Sequence, residues 1–411
     1  MHMALVFGMN QFISHGFGVF LFASLAPLMR EEIAFTNWHI AAIGALSQLA
    51  YLAGALLIST FGERIGSARL AMLTATNITV MLFSISVLTD PLLILIALAL
   101  LSASASISWS TIIEIISRCG PLEKCSTYLS AAASGTAWGC SFNGLLLLFI
   151  VPQLGWRAGW QIAAAFGICV IIANWFLLKK LGLIGAVAHQ IAAETPVARS
   201  SLSLSALMKT VAFEPLARFT CLICFSVCFS TIPFANWMNI YLTELELPSE
   251  LGGYTWTAIG LSGMLAGLTI GRLADRFGHH FALLLICSLF ALGLMTFLFD
   301  QKSYALIAGI GYGIMYFPIW GIVSGWLSKV YSSTVTMQIS SVCMITAGLG
   351  GASGNLIVGW IRESTGTLDA AYWVLTANAI VLVCMALGAF LRRNSAATAI
   401  HTETQNTQPM S

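Results

Sequence analysis

His15 is the one ionisable residue near the middle of a long apolar run, and Gln11 lies four residues before it. On a helix that spacing puts the two side chains on one face, as it does for Asn10 and Ser14. An imidazole titrates at about pH 6.5 when unperturbed, so it can take up and release a proton under physiological conditions. Two readings stand for His15: a proton-coupling or solute-binding group, or a neutral ring hydrogen-bonded between packed helices. Other apolar runs offer matching polar sets. Asn236 and Asn239 follow Pro233, a helix-kinking residue, three positions apart. Tyr312, Tyr316 and Trp320 recur at every fourth position and would present polar-tipped rings along one wall. For these, and for Asn143 and Asn355, a binding wall and simple helix packing are both open. Glu114, near the end of its run, either carries protons or reaches into the membrane interface. Together these groups suit the holding of an uncharged or zwitterionic molecule.

What is missing sharpens that reading. No Lys or Arg stands mid-run, and the stretch Leu98 to Ser104 holds none. A strongly anionic solute would need a fixed guanidinium to replace its hydration, so neutral, zwitterionic or amphipathic solutes are expected. Cys221, Cys224 and Cys228 share a face at i, i+3 and i+7. They read as a soft-metal set or as small packing residues, and with no His or carboxylate beside them we expect packing, with no metal and no cofactor. Gly351-Ala352-Ser353-Gly354 superficially matches an intramembrane protease motif, but the only His after it is His401 in the polar tail. No zinc-protease helix, phosphate-binding loop or nucleophile elbow is present. An enzyme is not expected. Nor does any basic patch interleaved with aromatics point to nucleic acid.

The elements that must position these groups are apolar helices. Charged residues make up 8% of the 411-residue chain and hydrophobic ones 58%, against roughly 25% charged in a soluble domain. Twelve runs, near 4–28, 38–60, 68–88, 91–113, 127–150, 158–180, 218–242, 254–272, 281–299, 303–327, 335–360 and 370–391, are long enough to cross a bilayer. They are too continuous for barrel strands, so the chain is predicted to be an all-α membrane protein. With both termini inside, 14 of the 18 Lys and Arg fall in cytoplasmic segments, leaving Arg30, Arg157, Lys302 and Arg362 outside. That bias predicts a multi-pass protein of the cytoplasmic (inner) membrane with both ends cytoplasmic. The first run has no basic residue before it and no convincing cleavage site, so it is read as a retained span.

The longest break, Gly182 to Pro215, is polar and serine-bearing. It divides the chain into an N-terminal six-helix bundle (1–181), a cytoplasmic linker (182–216), a C-terminal six-helix bundle (217–392) and a disordered cytoplasmic tail (393–411). The halves repeat. Phe61-Gly62-Glu63-Arg64-Ile65-Gly66 and Leu273-Ala274-Asp275-Arg276-Phe277-Gly278 place acid, Arg and Gly in one order, 212 residues apart. Repeated halves around a shared midplane site are a transporter design.

The run Gly271-Arg272-Leu273-Ala274-Asp275-Arg276-Phe277-Gly278 resembles the signature loop of the major facilitator superfamily. The twelve-span layout extends that resemblance over essentially the whole chain. Gly16-Phe17-Gly18, Pro27-Leu28-Met29 and Gly155-Trp156-Arg157-Ala158 are similar to the YbfB/YjiJ-type branch, although Val19 stands where that branch usually has an Arg. The resemblance implies two pseudo-symmetric bundles, and it implies that the loop acid and Arg latch helix ends together in the outward-open state. On that basis Glu63, Arg64, Gly66, Gly271, Asp275, Arg276 and Gly278 are gating residues. Ser59 replaces the leading Gly of the first loop, and His279 and His280 replace the basic pair of the second. The Gly-Pro pair of the family's antiporter motif is absent from the fifth span, which disfavours drug/proton antiport.

The glycine rows Gly263, Gly267, Gly271 and Gly135, Gly139 predict close helix contacts. The expected function is transport of a small-molecule substrate across the lipid bilayer by a monomer, with protons as the coupling ion. Export of a hydrophobic compound or siderophore-like metabolite, or uncoupled facilitation, is the alternative.

Overall fold

The computed structural model describes residues 2–119, 125–184, 203–331 and 333–406. Twelve helices are long and apolar enough to cross a membrane: Met3–Glu32, Asn37–Ile58, Ser67–Val87, Pro91–Ile116, Tyr128–Leu154, Trp156–Lys180, Pro215–Glu244, Ser249–Phe277, His279–Phe299, Gln301–Ser328, Val335–Thr365 and Asp369–Arg392. We number them as the first to twelfth spans. No strand occurs among the described residues. Part of the expected linker, 185–202, lies outside them, as does 407–411 of the expected tail. The last helix itself continues to Asn406, into the stretch expected to be disordered. A short helix, Leu204–Phe213, capped by the Ser203 side chain, leads into the seventh span.

The spans form two six-helix bundles. In the first, the second span packs on the fourth, the third on the fourth and sixth, and the first on the fifth. In the other, the seventh packs on the eleventh and twelfth, the eighth on the tenth, and the ninth on the tenth and twelfth. The bundles meet where the second span lies on the eleventh and the fifth on the eighth.

Polarity is turned inside out relative to a water-soluble bundle. On the third span Leu73, Val80, Phe83 and Val87 are exposed, while Thr74, Thr79 and Ser86 are buried. Buried hydroxyls are satisfied along their own helix, as Thr74 Oγ1 donates to the Leu70 carbonyl at 2.8 Å, and amides bond across helices, as Asn10 and Asn174 do reciprocally at 2.7 and 2.9 Å. Hydrogen bonding between helices supplies the cohesion that apolar contact cannot supply against lipid.

The repeat seen in the two loops is present in the backbone. Gly66 and Gly278 have φ of 84° and 95°, and each turns the chain directly into the next helix. A left-handed residue without Cβ is what such a joint needs. A second matched pair, Gly155 and Gly366 with φ of 76° and 80°, stands before the sixth and twelfth spans. The turn at the start of the tenth span is held by Asp300. Hydrogen bonds from the Ser303 hydroxyl and amide, the largest influences on its carboxyl, keep it below the usual carboxylate range.

Candidate functional site

The first span is not one continuous α-helix. His2–Gln11 is α-helical, Phe12–Phe17 is a π-helix, and a regular helix resumes at Leu21. The wider turn is closed by Gly18 N donating to the Ile13 carbonyl at 3.0 Å. A Cβ at Gly18 would strike the Ser14 carbonyl, so the glycine permits the break. Single π-turns of this kind recur at functional positions in helices.

His15 sits inside this wide turn. Its Nε2 is 3.2 Å from the Tyr51 hydroxyl of the second span, and its Nδ1 is 3.0 Å from the Ser14 hydroxyl. The His15 and Tyr51 rings meet edge to face at 5.7 Å. Gln11 does not share this contact. The π-turn changes the phase of the helix between the two residues, and Gln11 instead packs its Cβ near Gly135 of the fifth span. It is buried there with Nε2 unpartnered.

Across the interface an aromatic wall faces this pair. Phe234, Tyr312 and Tyr316 stack in a column, with centroid separations of 5.6 and 5.2 Å. Phe20 of the first span meets Tyr316 edge-on at 5.8 Å, and Trp256 stands 6.0 Å from Phe20. Tyr316 is within electrostatic reach of Tyr51. Tyr312 is fully buried behind it, its hydroxyl unpartnered. The bundles touch here through Phe20, whose ring meets Tyr316 and Trp256 of the other bundle, and no Lys or Arg lines the cavity beside it.

Asn236 lines a narrow cavity beside this group, together with Gly18, Val19, Ile43, Ser47 and Gln48. Its Nδ2 donates to Asn355 Oδ1 at 3.0 Å, and Asn355 Nδ2 in turn donates to the Gly351 carbonyl at 2.8 Å. Asn239 plays a different part. Its Nδ2 donates to the Ser24 carbonyl of the first span at 2.7 Å, bonding one bundle to the other. Glu114 is exposed near the end of the fourth span and shares no hydrogen bond with these groups.

The two ends of the interface are in different states. At the end opposite the signature loops, Asn37 of the second span donates across the interface to Glu363 of the eleventh at 3.1 Å, and beside it, within the second bundle, Arg362 Nε donates to Glu244 Oε1 at 2.6 Å. A Cβ at Gly359 would collide with Ala41, and one at Gly44 with the Asn355 and Asn236 amides. At the signature-loop end the contacts lapse. Of the predicted row Gly263, Gly267 and Gly271, Gly263 packs against Phe317 of the tenth span, whereas Gly267 and Gly271 would offer a Cβ nothing within 4 Å. Gly135 and Gly139 do pack closely, against Gly8 and Gly16 of the first span.

Arg64, Gly271, Asp275 and Arg276 are exposed. The Arg276 guanidinium lies over the Phe277 ring at 5.3 Å, and Gly66 and Gly278 form the joints already described. The Glu63 side chain lies outside the described residues. Cys221 Sγ is 3.7 Å from Cys343 Sγ on the eleventh span, and among the described residues no group of three or more His, Cys, Asp or Glu could hold a metal ion.

Sequence reasoning missed Tyr51 and the cluster of Arg30, Glu244 and Arg362. Tyr51 is an isolated ring in an apolar run, with no spacing to mark it. Each charge in the cluster reads alone as an ordinary helix-end residue.

The model of the Major Facilitator Superfamily matches residues 9–336. A "Putative proline/betaine transporter" of Staphylococcus haemolyticus (strain JCSC1435) is 25% identical over 358 residues, covering 80% of this chain and 73% of that protein. Among solved structures, the nucleoside transporter NupG superposes with a TM-score of 0.71 at 15% identity, over 95% of this chain and 99% of that one. A mutant form of NupG gives 0.73, also at 15% identity, over 94% and 99%. At that identity the likeness is one of fold.

Proposed function

The chain belongs to the Major Facilitator Superfamily, and from that premise we propose that it carries a small zwitterionic or neutral organic solute across the inner membrane by proton-coupled alternating access. It is a membrane transporter by family; the solute, the coupling and the direction are our reading. The observation that carries it is the His15–Tyr51 pair, 3.2 Å apart at a π-turn where the bundles meet.

A transport site must release its ligand, so weak polar contacts and ring faces suit it better than a fixed charge. Tyr51, Tyr316 and Asn236 offer hydrogen bonds, and the ring faces of Phe20 and Tyr316 favour a cationic group by cation–π attraction. With no guanidinium at the centre, a zwitterion whose charges cancel fits better than an anion. The relative's printed description names proline and betaine, both small zwitterions, which supports the same class. His15 supplies the proton-carrying group of the proposal, since no carboxylate joins the central cluster. Gln11 and Asn239 are assigned to support and closure of the site, and Glu114 to a proton path at the signature-loop end.

In this reading both termini and the signature loops face the cytoplasm, and the sealed end faces outward. The protein works as a monomer of two halves, 1–181 and 217–392, joined by the 182–216 linker. Within the family we place it beside the YbfB/YjiJ-type branch on the first-span glycines and the Gly155-Trp156-Arg157 run.

Purified protein in liposomes tests the reading with labelled glycine betaine and proline under an imposed pH gradient, acid outside. The wild type is expected to accumulate solute, and His15→Gln to lose the pH-driven part while retaining counterflow exchange. Equal pH-driven uptake in the variant would remove the coupling role. Equilibration of solute without accumulation, at a rate that ignores the pH gradient, would favour the second reading, an uncoupled facilitator, which the lack of a central carboxylate also favours.

A further inference from the structure

At the sealed end, two arginines from different bundles converge on one carboxylate. Arg362 of the eleventh span bonds Glu244 through Nε at 2.6 Å and also donates to the Gly366 carbonyl. Arg30 of the first span lies within electrostatic reach of both Glu244 and Arg362, yet its own hydrogen bond is a long one, 3.3 Å to Asn37 Oδ1. Pro27, Ile240 and Thr243 complete the walls of a pocket open to solvent. Two guanidiniums and one carboxylate thus line the pocket, with Asp369 in electrostatic reach of Glu244 from outside its wall, and most donors of the Arg30 fork are unused. Such a fork matches a carboxylate in shape and charge.

We propose that this pocket binds a monovalent anion between Arg30 and Arg362, and that the bound anion ties the two bundles together at this end. A single negative charge placed between the guanidiniums takes up the unused Arg30 donors and relieves the repulsion between the two arginines. A divalent anion would meet stronger repulsion from Glu244 and Asp369. The tie would reinforce a bridge already in place, because Asn37, which Arg30 holds, donates to Glu363 of the other bundle at 3.1 Å. The anion can come from the carboxylate of the transported zwitterion or from a free ion such as chloride. Only the first source rests on the transport reading given above.

The test is thermal stability of the full-length protein in detergent, titrated with sodium chloride, sodium acetate or glycine betaine, and compared among wild type, Arg30→Gln and Arg30→Lys. Because a ligand that binds only the folded state stabilises it by mass action, the wild type should show a saturable rise in Tm of a few degrees. Arg30→Gln should lose the saturable part, and Arg30→Lys should regain some of it. Saturation with acetate and betaine alone assigns the site to the solute's carboxylate, and saturation with chloride as well assigns it to any small anion. A rise that never saturates in the wild type, or an identical curve in Arg30→Gln, overturns the proposal.

Spin labels at positions 31 and 364, on opposite sides of this cleft, give a second readout that does not depend on variant folding. Their distance distribution should narrow towards the short distance as acetate is added, and an unchanged distribution overturns the tie. If anion binding passes both tests but liposomes move no solute, the transport reading fails and this one stands. If transport holds and the anion tests fail, the reverse follows.

Discussion

Near the sealed end a Cβ on Gly44, Gly144, Gly260 or Gly359 would collide with the opposite bundle, while near the signature loops a Cβ on Gly267 or Gly271 would meet nothing within 4 Å. The transition between these regimes is gradual. Along the second and eleventh spans a Cβ added to Gly351 would come within 3.1 Å of the Gln48 side chain, and one added to Gly348, further along, would reach only the Gln48 carbonyl at 3.5 Å. Glycine rows therefore exist at both ends, but only one set is engaged. Two bodies that rock about a central line can seal one end at a time, and small residues placed where no neighbour stands are what the alternate arrangement would use.

The largest disruption of this contrast is expected from Gly44→Leu. The new side chain would occupy the space of the Asn236 and Asn355 amides and hold the sealed end apart, at a cost of about 1–3 kcal/mol or more. Transport should be abolished, with spin-label distances across that end lengthened, whereas Gly267→Ala should leave them unchanged. Equal distances in the two variants would show that glycine contact does not set the seal.

A smaller effect is expected from Glu244→Ala, which leaves the Arg30 and Arg362 charges facing each other. Losing one partner of a fully buried pair costs about 3–5 kcal/mol. This pair is about one-fifth exposed, so roughly 1.4 kcal/mol, a tenfold shift towards opening at that end, is the expected scale. Accessibility of position 31 to a membrane-impermeant reagent measures it.

The smallest effect belongs to the disengaged end. Asp275→Ala should slow turnover about fivefold, the scale of ~1 kcal/mol for an acid meeting a helix end, and leave solute binding to this conformer unchanged. Comparing maximal uptake rate with equilibrium binding separates the two, and a loss of binding equal to the loss of rate would sink the gating role.

The twelve spans were legible because length and apolarity are local properties. The loop repeat was legible too, and Gly66 and Gly278 share a φ sign as well as a motif position. Gly155 and Gly366 make a second such pair, marked in sequence only by the faint likeness of Ala158-Gly159-Trp160 to Ala371-Tyr372-Trp373. At the centre, His15, Asn236 and Tyr316 stood out as polar groups in apolar runs. The partner of His15 did not, because Tyr51 meets it through side chains alone, from 36 residues away in the chain. Arg30, Glu244 and Arg362 lie on three different spans and mean something only when brought together. The expected pairing of Gln11 with His15 assumed an unbroken α-helix, and the π-turn between them removed that assumption.

That same π-turn divides the first span's loyalties. His2–Gln11 packs against the fifth and sixth spans of its own bundle, whereas Leu21–Glu32 lies against the seventh span of the other. The imidazole of His15 is thus mounted at a hinge between a piece anchored at home and a piece borrowed by the opposite body. On the alternating-access mechanism proposed above, a tilt of the two bodies would turn the ring relative to Tyr51, and the making or breaking of this bond would report which face is closed.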